Sequence, residues 1–125
     1  MTLVPGLAAS ASLVVGEADT AIAMRSGAVP VLATPRLLAL CEEATMAAMS
    51  GALEDGYSTV NVGVQFEHIS PTPVGGCVTA DARLERVEGR RLVFNVSARD
   101  DRGLVAAGRV TRVLVSVEQF MEKTR

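Results

Sequence analysis

Apolar and polar residues alternate most regularly in the middle of the chain. The stretch YSTVNVGVQFEHI, from Tyr57 to Ile69, has the period of two that is typical of a half-buried β-strand. One predicted face carries Val60, Val62, Val64, Phe66 and His68, and the other carries Thr59, Asn61, Gly63, Gln65 and Glu67. This phase predicts that the only histidine of the chain lies on the buried side of the strand.

The same alternation continues in the second half of the chain, after a turn rich in proline and glycine at residues 70–76. Residues 78–85, 92–98 and 104–117 read as strands, joined by turns at residues 88–89 and 100–103. Short turns between long strands predict an antiparallel meander. With strand 57–69 and a weaker candidate at residues 8–20, the sheet is expected to have about five strands. The charged tail EQFMEKTR has no predicted structure.

A different pattern, dense in Leu, Ala, Cys and Met, predicts a helix from Ala33 to Ser50. Thr34 is the predicted N-cap, and Pro35 fits the first helical position, where a missing N–H costs nothing. The helix has no wide polar face, so we expect other structure to wrap it. Glu42 and Glu43 interrupt the apolar run and need water or a partner. The predicted class is α+β, with one helix packed against one antiparallel sheet.

Composition limits the class of protein further. A chain of 125 residues supports a single domain, assigned here to residues 1–125. The formal charge of −2 and the absence of a basic run argue against a nucleic-acid partner. No signal peptide or membrane span is recognisable, so a cytoplasmic location is expected. Cys41 and Cys77 have no metal-binding spacing, and both are expected to be reduced and packed, with no metal site.

Several separated motifs then carry a family resemblance. They are the AT at the helix start, the glutamate eight residues later, the histidine before TPVG, the segment RLERVEGRRLVFNVSARD, and the strand GRVTRVLV. In this order and spacing they resemble the hotdog-fold thioesterases, and most closely the fluoroacetyl-CoA thioesterase-like family, over about residues 31–120. The resemblance implies a curled sheet around a central helix, an acyl-CoA substrate, and a homodimer or tetramer with its active site between subunits. It implies no cofactor, since coenzyme A is part of the substrate.

The resemblance also assigns roles to six residues. Thr34, Glu42 and His68 match the catalytic set of the family, and a substrate-binding role is expected for Asn61, Gly63 and Arg112. Asn61 stands where the family has a glycine, and Gly63 follows two positions later.

The chemistry of these residues supports the assignment independently, although each has a structural alternative. The N–H groups at a buried helix start suit a developing oxyanion, but Thr34 there is also an ordinary cap. Glu42 lies about 12 Å further along the helix and is either a base or nucleophile or a solvated carboxylate. His68 is either a proton carrier or a core histidine. Arg112 needs an anionic partner, either a carboxylate or a phosphate of coenzyme A.

The sequence therefore predicts an acyl-CoA thioesterase. Small and medium aliphatic residues near the helix start favour a short acyl chain; they are Ala28, Leu32, Leu37 and Leu38. One alternative is an acyl-CoA-binding protein of the same fold without catalysis. The other is an enoyl-thioester hydratase, but that class pairs an aspartate with a histidine in a short loop motif, and no aspartate precedes His68 at such a spacing.

Overall fold

A computed structural model describes residues 2–125, which form one long helix packed against one antiparallel sheet. The sheet has five strands in the order β1-β3-β4-β5-β2, which leaves β1 and β2 at its edges. The predicted class and the meander of the last three strands are confirmed. In chain order the elements are β1 (Ala8–Val14), α1 (Thr34–Ala48), β2 (Tyr57–His68), β3 (Cys77–Glu88), β4 (Arg91–Asp100), β5 (Gly103–Ser116) and α2 (Val117–Glu122).

One face of α1 forms the centre of the hydrophobic core. Its buried residues are Leu37, Leu40, Cys41, Ala44, Thr45 and Ala48, and they belong to the same buried core as residues of β3, β4 and β5 such as Leu84, Phe94 and Val110. The opposite side of α1 is only partly covered, because Glu43, Met46 and Ala47 are exposed. Within one chain the sheet therefore covers one side of the helix and leaves the other side partly open.

The predicted phase of β2 is correct in its second half and wrong in its first. The register to β5 pairs Asn61 with Arg112 and Gly63 with Thr111, so Val62 is an extra, bulged residue. The bulge inverts the alternation. Thr59 and Asn61 therefore face the helix, whereas Val62 is 51% exposed. Beyond the bulge, His68 lies opposite the buried Ala106, on the helix side as predicted.

The ends of the chain also differ from the sequence-based prediction. Strand β1 ends at Val14 rather than continuing to Thr20, because a short 3-10 helix follows at Glu17–Asp19. The tail predicted to lack structure forms α2, whose first turn is capped by the Ser116 hydroxyl. Between β1 and α1, residues 20–31 form an irregular segment, here called the entrance segment, which is bridged to Leu32 and Pro73 at its two ends.

The two cysteines occupy different environments. Cys41 is buried in α1, and burial, together with the nearby charge of Glu42, raises the pKa of its thiol to about 11. Cys77 at the start of β3 is exposed, so its predicted packing is wrong, because the strand begins at the surface after Gly76. Both thiols are free. No helix within residues 2–125 is both long and apolar enough to cross a membrane.

Candidate active site

The start of α1 is capped differently from the prediction. Ala33 is the N-cap residue, with extended backbone angles, and Thr34 is the first helical residue. Pro35 is therefore the second residue of the helix rather than the first. The Thr34 hydroxyl does not bond to a helix N–H; instead it forms a 2.8 Å hydrogen bond with Nδ1 of His68. The hydroxyl points across to the sheet, which is why the N-cap prediction for Thr34 is wrong.

His68 ends β2 and lies beside this hydroxyl. Its Nδ1 bonds to Thr34, and its Nε2 is buried without a hydrogen-bond partner among residues 2–125. Burial lowers the pKa of the imidazole, an effect that the backbone of Ser70 opposes. The ring is therefore neutral at pH 7, with one nitrogen able to accept a proton and the other carrying one.

A cavity of about 310 Å³ opens above the Thr34–His68 pair. Its other walls come from the entrance segment and from the chain that follows β2, and they include Gly27, Val29, Leu32 and Ile69. Of the four aliphatic residues predicted to shape an acyl pocket, only Leu32 lines this cavity, and Leu32 and Leu37 both belong to the buried core. A larger depression, of about 1140 Å³, lies on the sheet face away from the helix among residues such as Asp81, Arg83 and Asn95.

Glu42 belongs to a second cluster, further along α1. Asn61 donates a 2.7 Å hydrogen bond from Nδ2 to Oε2 of Glu42, and Nη1 of Arg112 lies 3.8 Å from the same oxygen. Arg112 is only 7% exposed. Its Nε donates to the Thr59 hydroxyl at 2.8 Å, and its Nη2 donates to the Thr59 carbonyl at 3.0 Å. Burial lowers the pKa of Arg112, and the charge of Glu42 opposes that shift.

The six residues predicted for the site thus fall into two groups within one chain. Thr34 and His68 form a pair at the helix start, and Glu42 contacts Asn61 and Arg112 about two turns away. Gly63 joins the second group through its N–H, which donates to Oδ1 of Asn61 at 3.0 Å. Substrate contact by Asn61, Gly63 and Arg112 stays a prediction. The partner of Arg112 that the structure provides is a carboxylate.

Two residues of this region had no predicted role. Thr59 was assigned to the outer face of β2, and only recognition of the bulge could have turned it toward Arg112. Arg36 forms ion pairs of 3.2 Å with Asp19, just before the entrance segment, and with Glu43 on α1. The available signal was that Arg36 and Glu43 are seven residues, or about two turns, apart and so lie on the same side of one helix.

A helix of four turns packed on a five-stranded antiparallel sheet, with its polar start facing the end of an edge strand, defines a protein of the hotdog class. Residues 15–118 match the fluoroacetyl-CoA-specific thioesterase family. The chain belongs to this family, whose predicted resemblance is confirmed. No group of three or more His, Cys, Asp or Glu side chains suited to a metal ion occurs in residues 2–125.

Individual relatives agree with this assignment. The chain is 37% identical over 95 residues to a fluoroacetyl-CoA thioesterase of Streptantibioticus cattleyicolor, covering 76% of this chain and 68% of the relative. A solved structure of the fluoroacetyl-CoA thioesterase FlK is similar with a TM-score of 0.93 and 30% identity, covering 100% of this chain and 97% of that one. A thioesterase superfamily member of Thermus thermophilus is similar with a TM-score of 0.89 and 26% identity, covering 98% and 90%.

Proposed function

We propose that this protein hydrolyses the thioester of a short-chain acyl-CoA to the free acid and coenzyme A. Family membership supports the reaction class, and structures of relatives were solved with acetyl-CoA and with fluoroacetate and CoA. The observation that carries the proposal is the 2.8 Å hydrogen bond between Thr34 and His68 at the start of a helix, beneath an open cavity.

Each polar residue then has a chemical task. The N–H groups of Thr34 and Arg36 in the first helical turn are available to stabilise the oxyanion that forms on the thioester carbonyl, since Pro35 has no N–H. Glu42 either attacks the carbonyl carbon or removes a proton from the attacking water. The tetrahedral adduct collapses with cleavage of the C–S bond, and the leaving thiolate receives, through His68, the proton that the water loses. If Glu42 attacks directly, that water hydrolyses the acyl–Glu42 anhydride, which releases the free acid and restores the carboxylate. Thr34 holds the imidazole in the orientation needed for this transfer.

We further propose that the active site is completed by a second copy of the chain. Strand β2 is an edge strand of twelve residues, and it exposes Tyr57, Val62 and Val64 at 43%, 51% and 41%. An unpaired edge of this length normally needs cover. Antiparallel pairing of two β2 strands along this edge would cover the exposed residues of both chains and would bring the Glu42 cluster of one chain toward the end of β2 of the other. Glu42 and the partner's Thr34–His68 pair then share one site.

The direct test is thiol release from a panel of acyl-CoAs of increasing acyl length. We expect hydrolysis with a preference for short acyl groups, because the cavity of about 310 Å³ has small and medium aliphatic walls. Glu42→Gln and His68→Ala should each lower kcat/KM at least about 100-fold. Cys77 is exposed, and an exposed thiol would add to the signal of an assay that measures released thiol. All variants should therefore carry Cys77→Ser as a common background.

The outcome separates hydrolase from binder. Tight binding of acyl-CoA without thiol release would identify the protein as a non-catalytic acyl-CoA-binding member of the fold. Release that persists in the double variant Glu42→Gln/His68→Ala would show that other residues perform the chemistry.

A further inference from the structure

Asn61 donates a hydrogen bond to Glu42, and Arg112 forms an ion pair with the same carboxylate, so both side chains are directed at Glu42 rather than at the cavity. We propose that Asn61 is a positioning residue that fixes the Glu42 carboxylate, and that the ion pair with Arg112 helps to hold the same carboxylate oxygen. This inference rests on the proposed thioesterase function, in which Glu42 acts on the thioester. It assigns Asn61 an indirect role in the reaction, different from the substrate contact that the family resemblance suggested.

The contacts of Glu42 are one-sided. Both Asn61 Nδ2 and Arg112 Nη1 approach Oε2, at 2.7 and 3.8 Å. Within residues 2–125, no hydrogen bond to Oε1 is formed, and the side chain of Glu42 is 34% exposed. One carboxylate oxygen is therefore held while the other is free to meet a water or a carbonyl carbon. A fixed carboxylate with one free oxygen is the arrangement that a base or nucleophile needs.

The β-bulge determines which way the amide of Asn61 points. The N–H of Gly63 donates to Oδ1 at 3.0 Å, so Oδ1 is engaged as an acceptor and Nδ2 is directed at Glu42. Without the extra residue Val62, the alternation of β2 would turn Asn61 to the other face of the sheet. The bulge and Asn61 thus act together to direct the Nδ2 group at Glu42.

Arg112 places a positive charge beside the same oxygen of Glu42. Its guanidinium is buried and is held by two hydrogen bonds to Thr59, so it is not free to follow a substrate. A buried, fixed cation beside Oε2 attracts the carboxylate group and so restrains its position. Arg112 therefore acts on the reaction through Glu42 as well.

The discriminating variant is Asn61→Asp. Aspartate retains an oxygen for the Gly63 N–H, so the bulge can persist, but it lacks the donor to Glu42 and places a second carboxylate beside it. We expect kcat to fall about 10- to 100-fold with KM changed less than about 3-fold, the usual range for a residue that orients a catalytic group. Asn95→Asp is the matched control, because Asn95 is exposed in β4 on the sheet face away from the helix, and it should leave kcat and KM unchanged.

A double-mutant cycle then identifies the residue through which Asn61 acts. In a Glu42→Gln background, Asn61→Ala should have no further effect on the residual kcat. The urea midpoints should also be non-additive, with the double variant losing less than the sum of the single variants. A raised KM for Asn61→Ala that persists without Glu42 would overturn the proposal in favour of direct substrate binding. Full activity of Asn61→Asp would overturn it too, whereas an inactive wild type would contradict the proposed function itself.

Discussion

A single hydrogen bond determines what Thr34 contributes. As an N-cap, its hydroxyl would be consumed by a helix N–H; as the first helical residue, it is free to bond to His68 at 2.8 Å. The cap is left to Ala33, which has no side chain suited to the task, so the first turn keeps unsatisfied N–H groups. The helix start loses the stability that a capping side chain would add, and in exchange the Thr34 hydroxyl and the unbonded N–H groups are left beside the cavity.

Because His68 is the only histidine of the chain, its imidazole signals can be followed by NMR without overlap from other histidines. Because burial lowers the pKa of His68, we expect its imidazole signals in NMR to titrate with a midpoint below the ordinary value of 6.5. The unfolded chain then binds the proton more readily than the native state. The free energy of unfolding should therefore be level above pH 6.5 and decline as the pH falls below it.

Two comparisons test whether the NMR titration and the pH dependence of stability both arise from His68. In urea above the unfolding midpoint, the same signals should return to a midpoint near 6.5. In a His68→Asn variant, the decline of stability in this pH range should be smaller. A native midpoint at or above 6.5 would show that the ring is more hydrated, or better paired with an anion, than the structure indicates.

At the scale of elements, β2 marks the limit of what the sequence could predict. Its position and length follow from the alternation of apolar residues, and so does the inward orientation of His68. The bulge could not be found this way, because V-N-V-G-V is compatible with unbroken alternation and the extra residue is visible only against the register of β5. The contacts of Thr59 and Asn61 depend on it, so the second cluster of the site could not be assembled from sequence.

The close pairing of β2 with β5 depends on Gly108. A Cβ atom at this position would overlap the carbonyl oxygen of Gln65 and the Cα atom of Phe66, and neither backbone atom can move without breaking the ladder. Gly108→Ala should therefore lower the free energy of unfolding by about 3 kcal/mol, measured by urea denaturation. Gly63→Ala, whose new Cβ would lie 3.9 Å from the nearest atom, Thr111 Cβ, should cost less than about 1 kcal/mol. Equal losses would show that the strand pair is adaptable.

At the scale of the whole molecule, the two polar clusters are separated along the helix that carries them. Periodicity and turns predict the fold class, the meander and the approximate positions of the five strands, because these are properties of local sequence. How polar residues of different elements meet is a property of packing, and the complete site that we propose requires a second chain. The resemblance to a family suggested this shared site, whereas the alternation pattern alone did not.

Subunit mixing tests the shared site. His68→Ala and Glu42→Gln, each expected to lower kcat/KM at least about 100-fold alone, are combined at equal concentrations and allowed to exchange subunits. If each site takes its pair from one chain and its acid from the other, half of the dimers contain one intact site, and about a quarter of the wild-type activity should return. A mixture that stays inactive, although exchange is confirmed with tagged subunits, would show that each chain builds its own site.

Arg36 links α1 to Asp19, which lies just before the entrance segment. Its two ion pairs, with Asp19 and Glu43, are only partly shielded from solvent. Dissolved ions weaken attractions of this kind, whereas buried contacts such as those of Arg112 are much less affected. A rise in ionic strength should consequently weaken the link between Asp19 and the start of α1 while leaving the contact between Glu42 and Arg112 much less changed.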